Sequence, residues 1–266
     1  MSGATQPTLI PVLLYHRVAE AGHDQFAVSP QRFAEHLQVI AASGRVPLTI
    51  GELAAGLRRR ASLPPRAMAI TFDDGYADTP AALDALGAAS LRVTLYVTAG
   101  SLDTAGALSR AQLRALSQRE GEVELGAHSV THPHLDSIPR AAMHAEIGHS
   151  KQILESEIGR RINTFAYPHG AYDTAVRQAV IGAGFTSAAA VKNAISHTAD
   201  DSWAVARYTV TGADSQEQLA AVLDGRGAPL AWRSERVRTR AARAARRARL
   251  HARRLRPFPT KPIPQI

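Results

Sequence analysis

Ala67-Met68-Ala69-Ile70-Thr71-Phe72-Asp73-Asp74-Gly75 is the stretch on which the fold turns. Residues 67–72 are an apolar run of strand length. The run ends on two adjacent carboxylates, which are costly to bury unless something positive offsets them. A divalent metal would bind one and lower the pKa of the other. Gly75 permits a tight turn that lets both point into one space. Taken alone, the segment also fits an Asp-Gly turn with Asp74 capping the helix that follows.

Outward from this run, short apolar segments alternate with helical patterns. Strands are expected over 12–15, 46–50, 67–72, 91–97, 122–127, 164–167, 185–190 and 207–210. Between them, 30–43 carries Phe33, Leu37 and Ile40 at helical spacing, with Ser29 as N-cap and Pro30 at the first turn. Further helices are expected over 52–60, 78–89, 109–118, 140–158, 173–183 and 216–223. Such alternation argues for a parallel sheet with helices outside it. An open doubly wound sheet and a closed barrel both satisfy it. The polar clusters fall just after strands, where barrel enzymes place their chemistry, so the α/β class is read as a distorted (β/α) barrel of about seven strands.

A second polar cluster, His128-Ser129-Val130-Thr131-His132-Pro133, follows the strand at 122–127. Two His four residues apart can lie on one side of a helical turn and share a metal. Together with Asp74 they make a facial set that leaves positions open for water and substrate. Asp73, the spare carboxylate, is then a natural general base. The nearby His134, His144 and His149 read as surface or supporting residues.

Composition agrees with one α/β body. The chain has 266 residues, 45% of them hydrophobic, which is enough for a full core. There are no cysteines, which excludes disulfides and thiolate metal sites. No apolar run approaches the roughly 18 residues of a transmembrane helix. Residues 1–10 lack the basic and apolar regions of a secretory signal, so a cytoplasmic location is expected. The +8 net charge is unevenly spread. Residues 231–266 hold eleven Arg, one Lys and one Glu, so the rest of the chain is mildly acidic. Two units follow: a catalytic body over 1–230 and a basic helical, then Pro-rich, tail over 231–266.

The blocks 71–75, 128–133 and Phe165-Ala166-Tyr167-Pro168-His169-Gly170 resemble the signature blocks of the polysaccharide deacetylases, carbohydrate esterase family four, in the family's order. The resemblance spans roughly residues 9–210. It implies a deacetylase-like (β/α) barrel and removal of acetyl from N-acetylated sugars. It implies Asp73 as base and Asp74, His128 and His132 as ligands of a divalent ion, Zn2+ first, with Co2+ or Ni2+ as alternatives. Tyr167, Pro168 and His169 are expected around substrate, with a backbone N–H of this block facing the oxyanion. Trp203 is expected to wall the pocket, with Asp200 or Asp201 tuning the acid.

Two departures stand out. Many members carry their general acid, a His, at the end of a late strand in a Leu-x-Leu-His pattern. No such strand follows Val210, and Arg249-Leu250-His251 sits in the basic tail. Leu13-Leu14-Tyr15-His16 ends a strand at the other terminus, resembling permuted members with an early Tyr-His, so His16 is assigned as the acid. Members also often carry, at the position of Ala166, an Arg that orients the catalytic Asp. Arg207 is the expected replacement.

The expected partner is an N-acetylated amino sugar, free, oligomeric or lipid-linked. A deformylase or deacetylase of a lipid-linked sugar and a degenerate noncatalytic carbohydrate-binding barrel are the alternatives. The Arg-Ala helix of the tail is read as a surface element drawn to anionic lipid, which would make the protein peripheral at the membrane. Its plainer reading is a solvated extension. No specific nucleic-acid recognition is expected, since the body is acidic.

Overall fold

Eight parallel strands build the central sheet: β1 (Val12–Tyr15), β2 (Val46–Leu48), β3 (Ala67–Phe72), β4 (Val93–Val97), β5 (Val123–Ala127), β6 (Thr164–Ala166), β7 (Ser187–Val191) and β8 (Val205–Thr209). The computed structural model describes residues 7–20, 24–59, 63–232 and 236–254. Seven strands close into a barrel, because β1 pairs with β8 on one side and β3 on the other: Leu13 lies beside both Tyr208 and Ile70. β2 stands outside the ring. It pairs with Ala67–Ala69, the first half of β3, whose second half pairs with β4. The barrel is distorted at this point, and the expected count of about seven strands holds.

Successive residues of a strand face opposite sides of the sheet. Outward residues such as Leu13, Met68, Ile70, Leu95 and Phe165 form the larger core under the surrounding helices. These helices are α1 (Pro30–Ala42), α3 (Thr79–Ala88), α4 (Arg110–Ser117), α5 (Arg140–Ile158), α6 (Thr174–Gly182) and α7 (Gln216–Leu223). Their starts follow their sequence. The Ser29 hydroxyl accepts from the Arg32 N–H ahead of α1, and Ser109 and Ser215 make capping boxes with Gln112 and Gln218.

Inward residues form a second cluster, including Val12, Ala69, Tyr96, Ala166, Ala189 and Val205. The helix α2 (Ile50–Arg59) adds Ile50 and Leu53 to it. Its first turn is pinned between strands. The Ile50 N–H donates to Thr94 Oγ1 (2.9 Å) and the Gly51 N–H to Glu124 Oε2 (3.0 Å). A Cβ at Gly51 would stand 2.2 Å from Glu124 Oε1, so a side chain here would displace the carboxylate that holds this turn. The strand expected over 46–50 therefore stops at Leu48, because residue 50 is drawn into the start of α2. Both Thr94 and Glu124 lie at the N-terminal halves of their strands, so α2 plugs the end of the barrel opposite the polar clusters.

The basic segment is not a free extension. α8 (Val237–Arg254) is a helix, as its Arg-Ala pattern predicts, but it is fastened to the body. Arg246 Nη2 lies 3.1 and 2.9 Å from the two oxygens of Asp136, and Arg247 Nη2 donates to Asp173 Oδ2 at 2.8 Å. Arg243, 8% exposed, sits between both acids at 3.8 and 3.7 Å. Three arginines expected at a lipid surface or in solvent thus face carboxylates of the body. The Pro-rich residues 257–266 lie outside the described residues. Among the described residues, no helix is long and apolar enough to cross a membrane.

Candidate active site

The two-residue strand period decides which side chains meet at the open end. In β1 it aligns Val12 and Leu14 with His16; in β3, Ala69 and Thr71 with Asp73; in β8, Val205 with Arg207 and Thr209. Each series begins in the lumen and ends at the strand's C-terminal edge. Small lumen residues, Ala69, Ala166 and Ala189, leave room for the large ones.

Asp73 and Arg207 are both buried, at 1% and 0% exposure. They form a bidentate pair, Nη1–Oδ1 2.6 Å and Nη2–Oδ2 2.8 Å. Arg207 Nη1 also donates to Thr71 Oγ1 (3.1 Å), and its guanidinium lies over the Tyr96 ring. Burial by itself raises the Asp73 pKa. The Arg207 guanidinium, aided by His128 and His16, overrides it and holds the carboxyl down at about 2. Asp73 is therefore an ionised acceptor of fixed orientation. The guanidinium comes from β8, two strands away from the Ala at position 166.

Asp74 turns away from Asp73 through a left-handed backbone, φ 72°, continued by Gly75 at 78°. Both carboxylates stay 3.6 Å from His128 Nε2, while Asp73 alone meets Arg207 and Asp74 alone meets His132. Asp74 Oδ1 lies 3.6 Å from His128 Nε2 and 3.5 Å from His132 Nε2, and the two Nε2 atoms are 3.1 Å apart. His128 Nδ1 is 2.8 Å from the Ala166 carbonyl oxygen, which can only accept, so Nδ1 carries the proton. His128 Nε2 thus presents a lone pair to His132 and Asp74. Burial holds both imidazoles neutral, pulling each pKa down to about 4. Three donor atoms within 4.8 Å of one another, two of them neutral imidazole nitrogens and one a carboxylate oxygen, fit a divalent cation.

The expected helical turn between the two His is absent. Ser129 and His132 both have left-handed φ, 65° and 58°. The loop is held by its own polar atoms and by Glu146 of α5. Glu146 Oε2 accepts from the N–H groups of Val130 and Thr131 (2.8 Å each), and Ser129 Oγ accepts from the His132 N–H (3.0 Å). Sequence reasoning missed Glu146, which lies 14 residues beyond His132 inside an ordinary helix.

A cavity of about 640 Å³ opens above these groups, lined by His16, Asp73, Asp74, His128 and His132 together. His16 packs against the Phe26 ring (4.7 Å), and its buried Nδ1 has no hydrogen-bond partner among the described residues. Phe26, Tyr76 and the 104–107 loop form the rim, none of which carried a sequence signal. Burial and the neighbouring Asp74 carboxylate push the Tyr76 hydroxyl up to about 12.

His169 lines the cavity and packs edge-on to His132 at 4.3 Å. Its neighbours do not. Tyr167 is fully buried; its N–H donates to the Ala189 carbonyl (3.1 Å) and its hydroxyl to the Trp203 carbonyl (2.9 Å). Pro168 is also buried and does not line the cavity. The Gly170 and Ala171 N–H groups are spent on the Tyr167 and Pro168 carbonyls, which leaves the His169 N–H as the uncommitted donor of these three. Trp203 does not wall the cavity. It packs against the helix-side core, because the turn at 201–204 directs it outward. Asp200 and Asp201 serve that turn: Asp200 accepts from Ser196 Oγ and the Ala206 N–H (2.8 Å each), and Asp201 pairs with Arg177.

The family model described as polysaccharide deacetylase matches residues 60–188, the segment that carries Asp73, Asp74, His128, His132 and His169. The chain belongs to the polysaccharide deacetylase family. An uncharacterized protein of Streptomyces coelicolor, SCO4760, is 31% identical over 188 residues, covering 67% of this chain and 67% of its own length. Chitin deacetylase 1 of Cryptococcus neoformans is 26% identical over 160 residues, 58% of this chain and 33% of the fungal one. YxkH of Bacillus subtilis, which carries a polysaccharide deacetylase name, is 23% identical, and this chain spans 63% of it. Solved structures share the fold. The Streptococcus pyogenes deacetylase PplD, in complex with acetate, superposes with TM-score 0.74 at 23% identity, covering 82% of this chain and 99% of that one. IcaB from Ammonifex degensii gives 0.70 at 23% identity, with 82% and 98% coverage. Within this deacetylase family the present chain carries Ala at 166 and brings its guanidinium to Asp73 from Arg207.

Proposed function

We propose that this protein is a metal-dependent hydrolase that removes the N-acetyl group from an N-acetylated amino sugar. The observation that carries the reading is the convergence in one cavity of a buried, Arg-clamped carboxylate (Asp73), three metal donors (Asp74, His128, His132) and a strand-end imidazole (His16). A noncatalytic barrel would have no need to keep a full base, donor set and acid facing one space.

Asp74, His128 and His132 would hold the ion, with zinc best suited to two imidazoles and a carboxylate. When bound, the ion supplies Lewis-acid polarisation of the acetyl carbonyl and acidifies a water. Asp73, ionised and fixed by Arg207, takes the proton from the water oxygen as that oxygen attacks the acetyl carbon. The His169 N–H faces the oxygen that gains negative charge. As the C–N bond breaks, His16 gives its proton to the amine nitrogen, and acetate and the free amino sugar leave.

Acetate release from monomeric, oligomeric and lipid-linked N-acetylhexosamines, with and without chelator, tests the reading. Asp74→Ala is expected to lose bound metal and turnover together. A variant stripped of metal that still releases acetate at the normal rate sinks it.

A further inference from the structure

Beside the catalytic cavity lies a second one, of about 340 Å³. Val191 lines both. Gly170 abuts it so closely that an added Cβ would stand 2.8 Å from the Val191 carbonyl oxygen. His169 lines the first cavity and Gly170 the second, so the two spaces adjoin along this turn and a substrate longer than one sugar could occupy both.

The charges of the second cavity are unequal. Its two acids are already engaged: Asp201 pairs with Arg177, and Asp173 with Arg247. Lys192, 6% exposed at its side chain, is held by Asp200 at 3.3 Å with its ammonium beside the Trp232 carbonyl. Arg236 and Arg238 also line the cavity, and among the described residues neither has a carboxylate within ion-pair distance. The central carbon of the Arg236 guanidinium lies over the Trp232 ring, 3.3 Å from its centroid, which holds the fork at the cavity wall. Arginine forks of this kind favour oxygen-rich anions such as phosphate.

Resting on the deacetylase reading above, we infer that this cavity binds a phosphate or diphosphate carried by the amino-sugar substrate, with Arg236 and Arg238 as its principal ligands. The substrate class is then a sugar 1-phosphate or diphosphate ester rather than a neutral polymer. The first residues of the basic segment build the subsite. Their role is recognition of an anion joined to the substrate, separate from the clamp that Arg243, Arg246 and Arg247 make further along α8.

Two measurements on the full chain test this independently. Calorimetric titration with inorganic pyrophosphate needs no turnover; the wild type is expected to bind, and the Arg236→Gln/Arg238→Gln variant to bind at least tenfold more weakly with an unchanged melting temperature. Acetate release is then compared for neutral N-acetylhexosamine oligomers, a nucleoside diphosphate N-acetylhexosamine and a polyprenyl diphosphate N-acetylhexosamine. The double variant is expected to lose at least tenfold in kcat/KM on a diphosphate substrate and nothing on neutral oligomers; whichever carrier is turned over identifies the soluble or lipid source. Equal pyrophosphate affinity in both proteins, or none in the wild type, overturns the inference even if acetate is released. Pyrophosphate binding that depends on the two arginines, with no acetate released from any sugar, retains the anion site and removes the deacetylase reading instead.

Discussion

Arg207 on β8 meets Asp73, 134 residues earlier in the chain, through two N–H···O bonds of 2.6 and 2.8 Å inside the barrel. Removing one member of a buried pair leaves the other charged and uncompensated, at a cost of about 3–5 kcal/mol. Arg207→Ala is therefore expected to lower stability by about that amount in urea titrations. Arg207→Lys keeps the charge but loses the fork. It should fold, bind metal normally and lose acetate release about 10²-fold or more, as expected when a general base is misplaced. An Arg207→Lys protein with wild-type turnover would show that Asp73 needs no orienting partner.

The His128 and His132 imidazoles set an acid limit on stability. Their folded pKa values, about 4, lie below the ordinary His value of about 6.5. Between these values the unfolded chain binds more protons than the folded one. Their contribution is thus present above about pH 6.5 and is lost as pH falls toward 4. For the metal-free protein, the free energy of unfolding should decline with acidification across this window. His128→Asn should flatten the slope. A slope unchanged in that variant would place the titrating groups elsewhere.

Glu146 holds the loop that presents His132. Glu146→Ala frees the N–H groups of Val130 and Thr131, while α5 keeps its backbone bonds. Supporting residues of this kind typically change metal affinity by about 10–100-fold. Competition with a coloured chelator should show a loss in that range, with the helical circular dichroism signal intact.

Asp136, 3% exposed, carries the contacts of Arg243 and Arg246. Asp136→Asn leaves a hydrogen-bonding group without the charge. α8 should then become accessible to trypsin at Arg246 and Arg247 well before the barrel is cut, and high salt should speed cleavage of the wild type in the same way. Equal cleavage rates in both proteins would mean that the ion pairs do not hold α8.

Much of this arrangement was legible in the sequence because it follows short-range rules. The strand period carries His16, Asp73 and Arg207 to one end of the lumen, and the alternation of runs specifies a parallel sheet. The His128–His132 spacing pointed to two residues that do converge, but by the wrong local geometry, since the loop takes its shape from Glu146, which no spacing rule connects to it. Trp203 misled because an aromatic near two carboxylates says nothing about which way its turn directs it. The docking of α8 was invisible because its receptors, Asp136 and Asp173, are isolated acids about 70–110 residues away. Position 166 contributes no charge, and the guanidinium comes from Arg207, as its place on the last strand suggested; the backbone oxygen that Ala166 offers to His128 is common to every residue type and left no mark in the sequence.

The closure of β1 against both β3 and β8 also bears on when activity can arise during synthesis. Asp74, His128 and His132 all emerge in the first half of the chain, whereas Arg207 comes much later. A nascent chain can hold its three ion donors before anything clamps Asp73. On the proposed reading, the ion donors and the clamped base are therefore completed at different points of synthesis, the donors first.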